Sequence, residues 1–103
     1  NLKEILDNLD NRLIEKLSIH LHQSDDSWKE IVNLCLRYGI KTFDTSLLNL
    51  GGCPAAFSEN RKKSGNLNLY DFVNHLDEID IKHNIKKDKI REVEQEVSKI
   101  ISL

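Results

Sequence analysis

His20 and His22 stand one residue apart in Leu17-Ser18-Ile19-His20-Leu21-His22, a run in which apolar and polar residues alternate strictly. Alternation of period two marks a short strand whose successive side chains point to opposite faces, so both imidazoles leave from one face. A pair of imidazoles suits Zn, Cu, Fe or Ni and, in mixed sites, Mn or Mg. The same pair also fits a structural role, as two histidines hydrogen-bonded at the edge of a core. Cys53 lies in Gly51-Gly52-Cys53-Pro54. There the glycines free the backbone, the proline stiffens one flank, and the thiol can give or take a proton. The alternative is an ordinary turn that carries a cysteine. Gly65-Asn66 either opens the next helix or presents an amide oxygen as a hard ligand beside the imidazoles. Arg61-Lys62-Lys63 reads as a solvated loop tip or as a contact for ligand phosphates. Asp77, Glu78 and Asp80 read as a solvated helix end, and His75 and His83 as surface residues.

These groups need elements to hold them. Leu2, Ile5, Leu6, Leu9, Leu13 and Leu17 recur at spacings of three and four, which predicts one amphipathic helix before the histidine strand. Ser24 and Asp25 are N-cap candidates for a second helix. Trp28, Ile31, Val32, Cys35 and Leu36 supply its apolar face, Gly39 its stop, and Cys35 a small buried residue. Ile40-Lys41-Thr42-Phe43-Asp44 is a second short strand. From Thr45 to Gly65 no period persists, and loops of this length in compact domains are usually functional or disordered. Asn68 and Asp71 resemble a capping box, with Leu69, Phe72, Val73 and Leu76 facing inward. A last helix runs from about Lys86, its stripe made of Ile90, Val93, Val97, Ile100 and Ile101. Strand, helix, strand argues for a parallel βαβ unit with a right-handed crossover. His20 and His22 then fall at the C-terminal end of the first strand, where parallel α/β folds collect ligands and catalytic groups.

The chain has 103 residues, enough for a single domain but far short of the ~250 of a complete (β/α)8 barrel. A net charge of −2, without a basic stripe, gives no reason to expect nucleic acid. No apolar run approaches the roughly 20 residues of a membrane span, and Asn1 to Leu13 is too polar for a signal peptide. Two cysteines, neither in a Cys-x-x-Cys pair, favour a reducing compartment and a cytoplasmic location. No phosphate-binding G-x-x-x-x-G-K loop and no Ser-His-Asp hydrolase signature is present.

Taken in order, His20-Leu21-His22, Phe43-Asp44-Thr45-Ser46, Leu50-Gly51-Gly52-Cys53-Pro54 and Gly65-Asn66-Leu67 form a series. It resembles the C-terminal part of hydroxymethylglutaryl-CoA lyase, of the metal-dependent lyase and condensing-enzyme TIM-barrel superfamily. The likeness covers about Leu17 to Leu76. The His-x-His and Gly-Asn pieces are shared with isopropylmalate and homocitrate synthases, whereas Gly-Gly-Cys-Pro points to the lyase branch. The fold implied is α/β: residues 1–103 as a C-terminal fragment of a (β/α)8 TIM barrel. This fragment holds the last two βα units, with two parallel strands and flanking helices.

The resemblance implies that His20, His22 and Asn66 are ligands of a divalent Mg²⁺ or Mn²⁺. It further implies that Cys53 is the catalytic cysteine of a loop closing over an acyl-CoA. The family reaction cleaves 3-hydroxy-3-methylglutaryl-CoA to acetyl-CoA and acetoacetate, with the metal as Lewis acid. His20 is then both ligand and catalytic proton-transfer group, with Cys53 assisting at the enolate carbon. If the source is eukaryotic, the resemblance also admits the mitochondrial matrix. Gln23 stands where the family often has Asp, and Ala55 to Ser64 is longer and more basic than the family's loop. No segment matches the family's first-strand aspartate ligand and neighbouring arginine. The expected enzyme is therefore a part, completed by a missing barrel segment or partner chain in an oligomer. The rivals are a non-catalytic interaction module derived from a lyase barrel and a small stand-alone metal-binding protein.

Overall fold

The structure, a computed structural model, describes residues 1–23, 27–48 and 65–101. Their elements are α1 (Leu2–Asp7), α2 (Asn11–Ile14), β1 (Ser18–His20), α3 (Ser27–Arg37), β2 (Thr42–Asp44), α4 (Leu69–Glu78) and α5 (Lys87–Ile101). The proposed caps Ser24 and Asp25, the Gly51–Pro54 turn with Cys53, and the Arg61–Lys63 cluster lie outside the described residues.

The single N-terminal helix expected from the leucine stripe is two short helices. Asp10 takes an extended conformation and accepts the Arg12 amide at 2.8 Å, capping α2. The Asn8 side chain donates back to the Glu4 carbonyl at 2.8 Å. Side chains that bond locally to the backbone compete with a continuing helix, and here they end it. The restart rotates the stripe, burying Leu6 and Ile14 while Ile5 and Leu13 remain exposed.

Trp28, Val32 and Cys35 form the buried face of α3. The helix ends as the spacing predicts. Gly39 takes φ +89°, its amide donates to Leu36 at 3.0 Å, and the Ile40 amide donates to Cys35 at 3.0 Å. This paired closure needs a left-handed residue, which glycine adopts without a Cβ penalty. It turns the chain directly into β2, which pairs in parallel with β1 in the register Ser18↔Thr42, Ile19↔Phe43, His20↔Asp44.

The two strands separate their faces cleanly. Ile19 and Phe43 pack toward the helices, while Ser18, His20, Thr42 and Asp44 stand exposed on the other face. Two core clusters lie beneath the covered face. One joins Trp28 and Val32 of α3 to Leu67, Phe72 and Leu76; the other joins Leu6 and Ile14 to Cys35 and Ile40. Ile40, Leu67, Val32 and Val73 are fully enclosed, each burial stabilising the fold by about 1.5–3 kcal/mol.

Asn68 caps α4 as expected, its Oδ1 accepting the Asp71 amide at 2.9 Å. Of the two histidines read as surface residues, one is buried and the other half-buried. His75 is 5% exposed, in edge contact with the Trp28 ring, and its Nε2 lies 2.7 Å from Asn33 Oδ1. His83 is half-buried, with Nε2 donating to Asp77 at 2.7 Å and Nδ1 accepting the Ile85 amide at 3.0 Å. Along α5 only Ile90 of the predicted stripe is buried; Val93, Ile100 and Ile101 are exposed, and Glu94 is buried instead. Among the described residues, no helix is long and apolar enough to cross a membrane.

Candidate functional site

The histidine strand places its side chains as the alternation predicts. His20 ends β1 on the exposed face, and His22 follows two residues on, its ring centroid 5.4 Å from that of His20 in an edge-on arrangement. The parallel register sets Asp44 beside His20, with Asp44 Oδ2 3.4 Å from His20 Nδ1. Asp44 Oδ1 accepts the Ser18 hydroxyl at 3.1 Å, which steadies the carboxylate. A carboxylate facing Nδ1 favours the proton there and leaves Nε2 as the lone-pair nitrogen.

Asn66 reaches the same place from far along the chain. His22 and Asn66 form an antiparallel bridge. Its two hydrogen bonds run from Gln23 N to Gly65 O at 2.8 Å and from Leu67 N to Leu21 O at 3.0 Å. These flank the pair, which makes it the non-hydrogen-bonded kind, in which opposed side chains come closest. Asn66 Oδ1 is a buried atom.

The 65–69 stretch is held from a second side as well. Ser46 N donates to Leu67 O, and Leu69 N donates to Ser46 O, both at 2.8 Å. Gln23 adds a third tie, its Oε1 accepting the Asn68 amide at 2.9 Å and its Nε2 donating to Asp71 Oδ2 at 2.8 Å.

His20, His22 and Asn66 thus share the rim beyond the strand ends, and Cys53 lies outside the described residues. Two imidazoles and an amide oxygen match one side of a Mn²⁺ or Mg²⁺ shell in donor type. Among the described residues, no group of three or more His, Cys, Asp and Glu side chains is close enough to hold a metal. A hard cation at this rim therefore needs oxygen ligands beyond these. A cavity of about 600 Å³ lies elsewhere, on the helix-covered side, lined by Phe43, Phe72, Leu76 and Ile81 among others and by none of the three.

Asp44 and Gln23 take part in this arrangement without belonging to the ligand pattern in the sequence. Asp44 was legible as the alternating polar residue of a second parallel strand, but its pairing with His20 depends on register. Cys35, read as core, is fully enclosed, and burial pushes its thiol pKa up, away from reactive thiolate.

Successive βα steps in parallel, with polar groups gathered past the strand ends, define an α/β fold of the kind that builds TIM barrels. No family model matches the sequence. Over 75 residues the chain is 35% identical to hydroxymethylglutaryl-CoA lyase YngG of Bacillus subtilis (strain 168). That match takes in 73% of this chain and 24% of the relative. The crystal structure of the B. subtilis HMG-CoA lyase matches with a TM-score of 0.75 at 28% identity, over 98% of this chain and 32% of that one. The chain is related to the hydroxymethylglutaryl-CoA lyases, as its motifs implied. It spans about a quarter of the length of the curated relative it matches.

Proposed function

We propose that this chain supplies one side of a lyase site that cleaves 3-hydroxy-3-methylglutaryl-CoA to acetyl-CoA and acetoacetate. In this reading it works when completed by further barrel strands, from the same polypeptide or a partner. The observation that supports it is the gathering of His20, His22 and Asn66 at one rim from segments far apart in sequence. In this reading the three side chains hold Mg²⁺ or Mn²⁺, which when bound supplies Lewis-acid polarisation of substrate oxygens. In this reading His20, with Asp44 against Nδ1, would use Nε2 for the cation. Cys53 acts as a proton-transfer group at the acetyl carbon. The carboxylate that a hard cation requires comes from the completing strands.

The test is incubation with Mn²⁺ and hydroxymethylglutaryl-CoA, alone and with a polypeptide carrying the other barrel strands. Acetoacetate is expected in the completed mixture, lost with Cys53→Ser, together with Mn²⁺ binding that His22→Ala weakens. No product in either mixture and no His22-dependent Mn²⁺ binding would sink the proposal and leave a non-catalytic interaction module as the better reading.

A further inference from the structure

Gln23, Asn68 and Asp71 close a ring of hydrogen bonds at the start of α4. Gln23 Oε1 accepts the Asn68 amide at 2.9 Å, Asn68 Oδ1 accepts the Asp71 amide at 2.9 Å, and Asp71 Oδ2 accepts from Gln23 Nε2 at 2.8 Å. Gln23 directly follows His22, and Asn68 lies two residues beyond Asn66. The ring therefore fastens the two strand segments that carry these side chains, immediately beside the point where they oppose each other.

The residue type matters. The position must accept from a backbone amide and donate to a carboxylate at once, and the Gln23 amide does both with its two ends, Oε1 and Nε2, without a proton change. A carboxylate there would accept from Asn68 but face Asp71 as a like charge. An alanine would leave the amide of buried Asn68 and the half-buried Asp71 carboxylate without these bonds.

We infer that Gln23 is a positioning residue, the clamp that holds Asn66 opposite His22 and so sets the spacing of the proposed ligands. The cation part of this inference rests on the function proposed above; the clamp itself does not. Outer residues that orient metal ligands typically change affinity by about 10–100-fold.

The experiment compares the full chain with Gln23→Ala, Gln23→Glu and the exchange pair Gln23→Glu/Asp71→Asn. In the pair a carboxylate accepts from both Asn68 N–H and the new amide, reversing the donor and acceptor of one bond. NMR reads the His22 Hα to Asn66 Hα cross-peak, strong in a non-hydrogen-bonded antiparallel pair. Mn²⁺ titration reads affinity, and circular dichroism confirms helix content.

The expected result is a cross-peak that weakens in both single variants and returns in the exchange pair, with Mn²⁺ affinity falling about tenfold or more and recovering in step. A cross-peak unchanged in Gln23→Ala and Gln23→Glu overturns the clamp. A weakened cross-peak with unaltered Mn²⁺ affinity overturns its role in spacing the ligands. Wild-type protein that holds no Mn²⁺ removes the cation reading, and the cross-peak and its restoration still decide on the clamp.

Discussion

His75 carries a titration that the rest of the molecule must accommodate. It sits between α3 and α4, with Trp28 on one side and Asn33 at Nε2. Burial holds its pKa below the usual 6.5, the nearby Lys29 charge adds to this, and Glu78 on its own helix opposes it. The folded chain therefore resists protonation where the unfolded chain accepts it. Above about pH 6.5 both states are neutral and the group has no effect. As pH falls below that value the unfolded state binds the extra proton, so stability drops until the folded pKa is passed. A melting temperature that declines between pH 7 and pH 5, with the decline flattened in His75→Gln, is the expected outcome. An equal slope in both proteins would assign the pH effect to other groups. Composition could not reveal this burial, because a histidine in the polar context of Asn74-His75 reads as surface until the angle of α4 on Trp28 is known.

The elements show where sequence patterns were sufficient. Local signals worked: the alternation around His20, the Asn68 cap and the Gly39 stop each depend on neighbours within a few residues. Gly39 is also the sharpest test. Nothing lies within 4 Å of a Cβ built on it, so Gly39→Ala meets no clash and its cost is that of the φ +89° backbone alone. A loss of about 1–2 kcal/mol in chemical unfolding is expected. Pattern failed where a short polar side chain could choose between helix and cap, as at Asp10, and where pairing was non-local, as between His22 and Asn66. A spacing rule sees three ligands in order; it does not see that a bridge between distant segments aligns them.

At the scale of the whole molecule, apolar surface remains without cover among the described residues. Ile100 is 68% exposed and Val93 46%, on the stripe that periodicity marked as inward-facing. Periodicity tells that a helix has an apolar face, not that its cover lies within the same 103 residues. The radius of gyration, 14.9 Å, exceeds the ~13 Å of a compact chain this long. Ile100→Lys is expected to change the stability of the chain by no more than about 0.5 kcal/mol, as at other exposed positions. A loss well beyond that in thermal or urea unfolding would show that this stripe is covered after all.

The ring around Gln23 also has a consequence for time. Gln23 and Asn68 are 45 residues apart, and no contact between them forms until the intervening chain has closed on itself. Contacts of such separation come late in folding, because loop entropy must be spent before they return any stability. The rim is therefore expected to assemble after β1, α3 and β2, and to open when α4 lifts away. Amide exchange at Leu67 and Asn68 should follow that opening, so a nascent chain that has already formed β1, α3 and β2 would still lack the alignment of its histidines with Asn66.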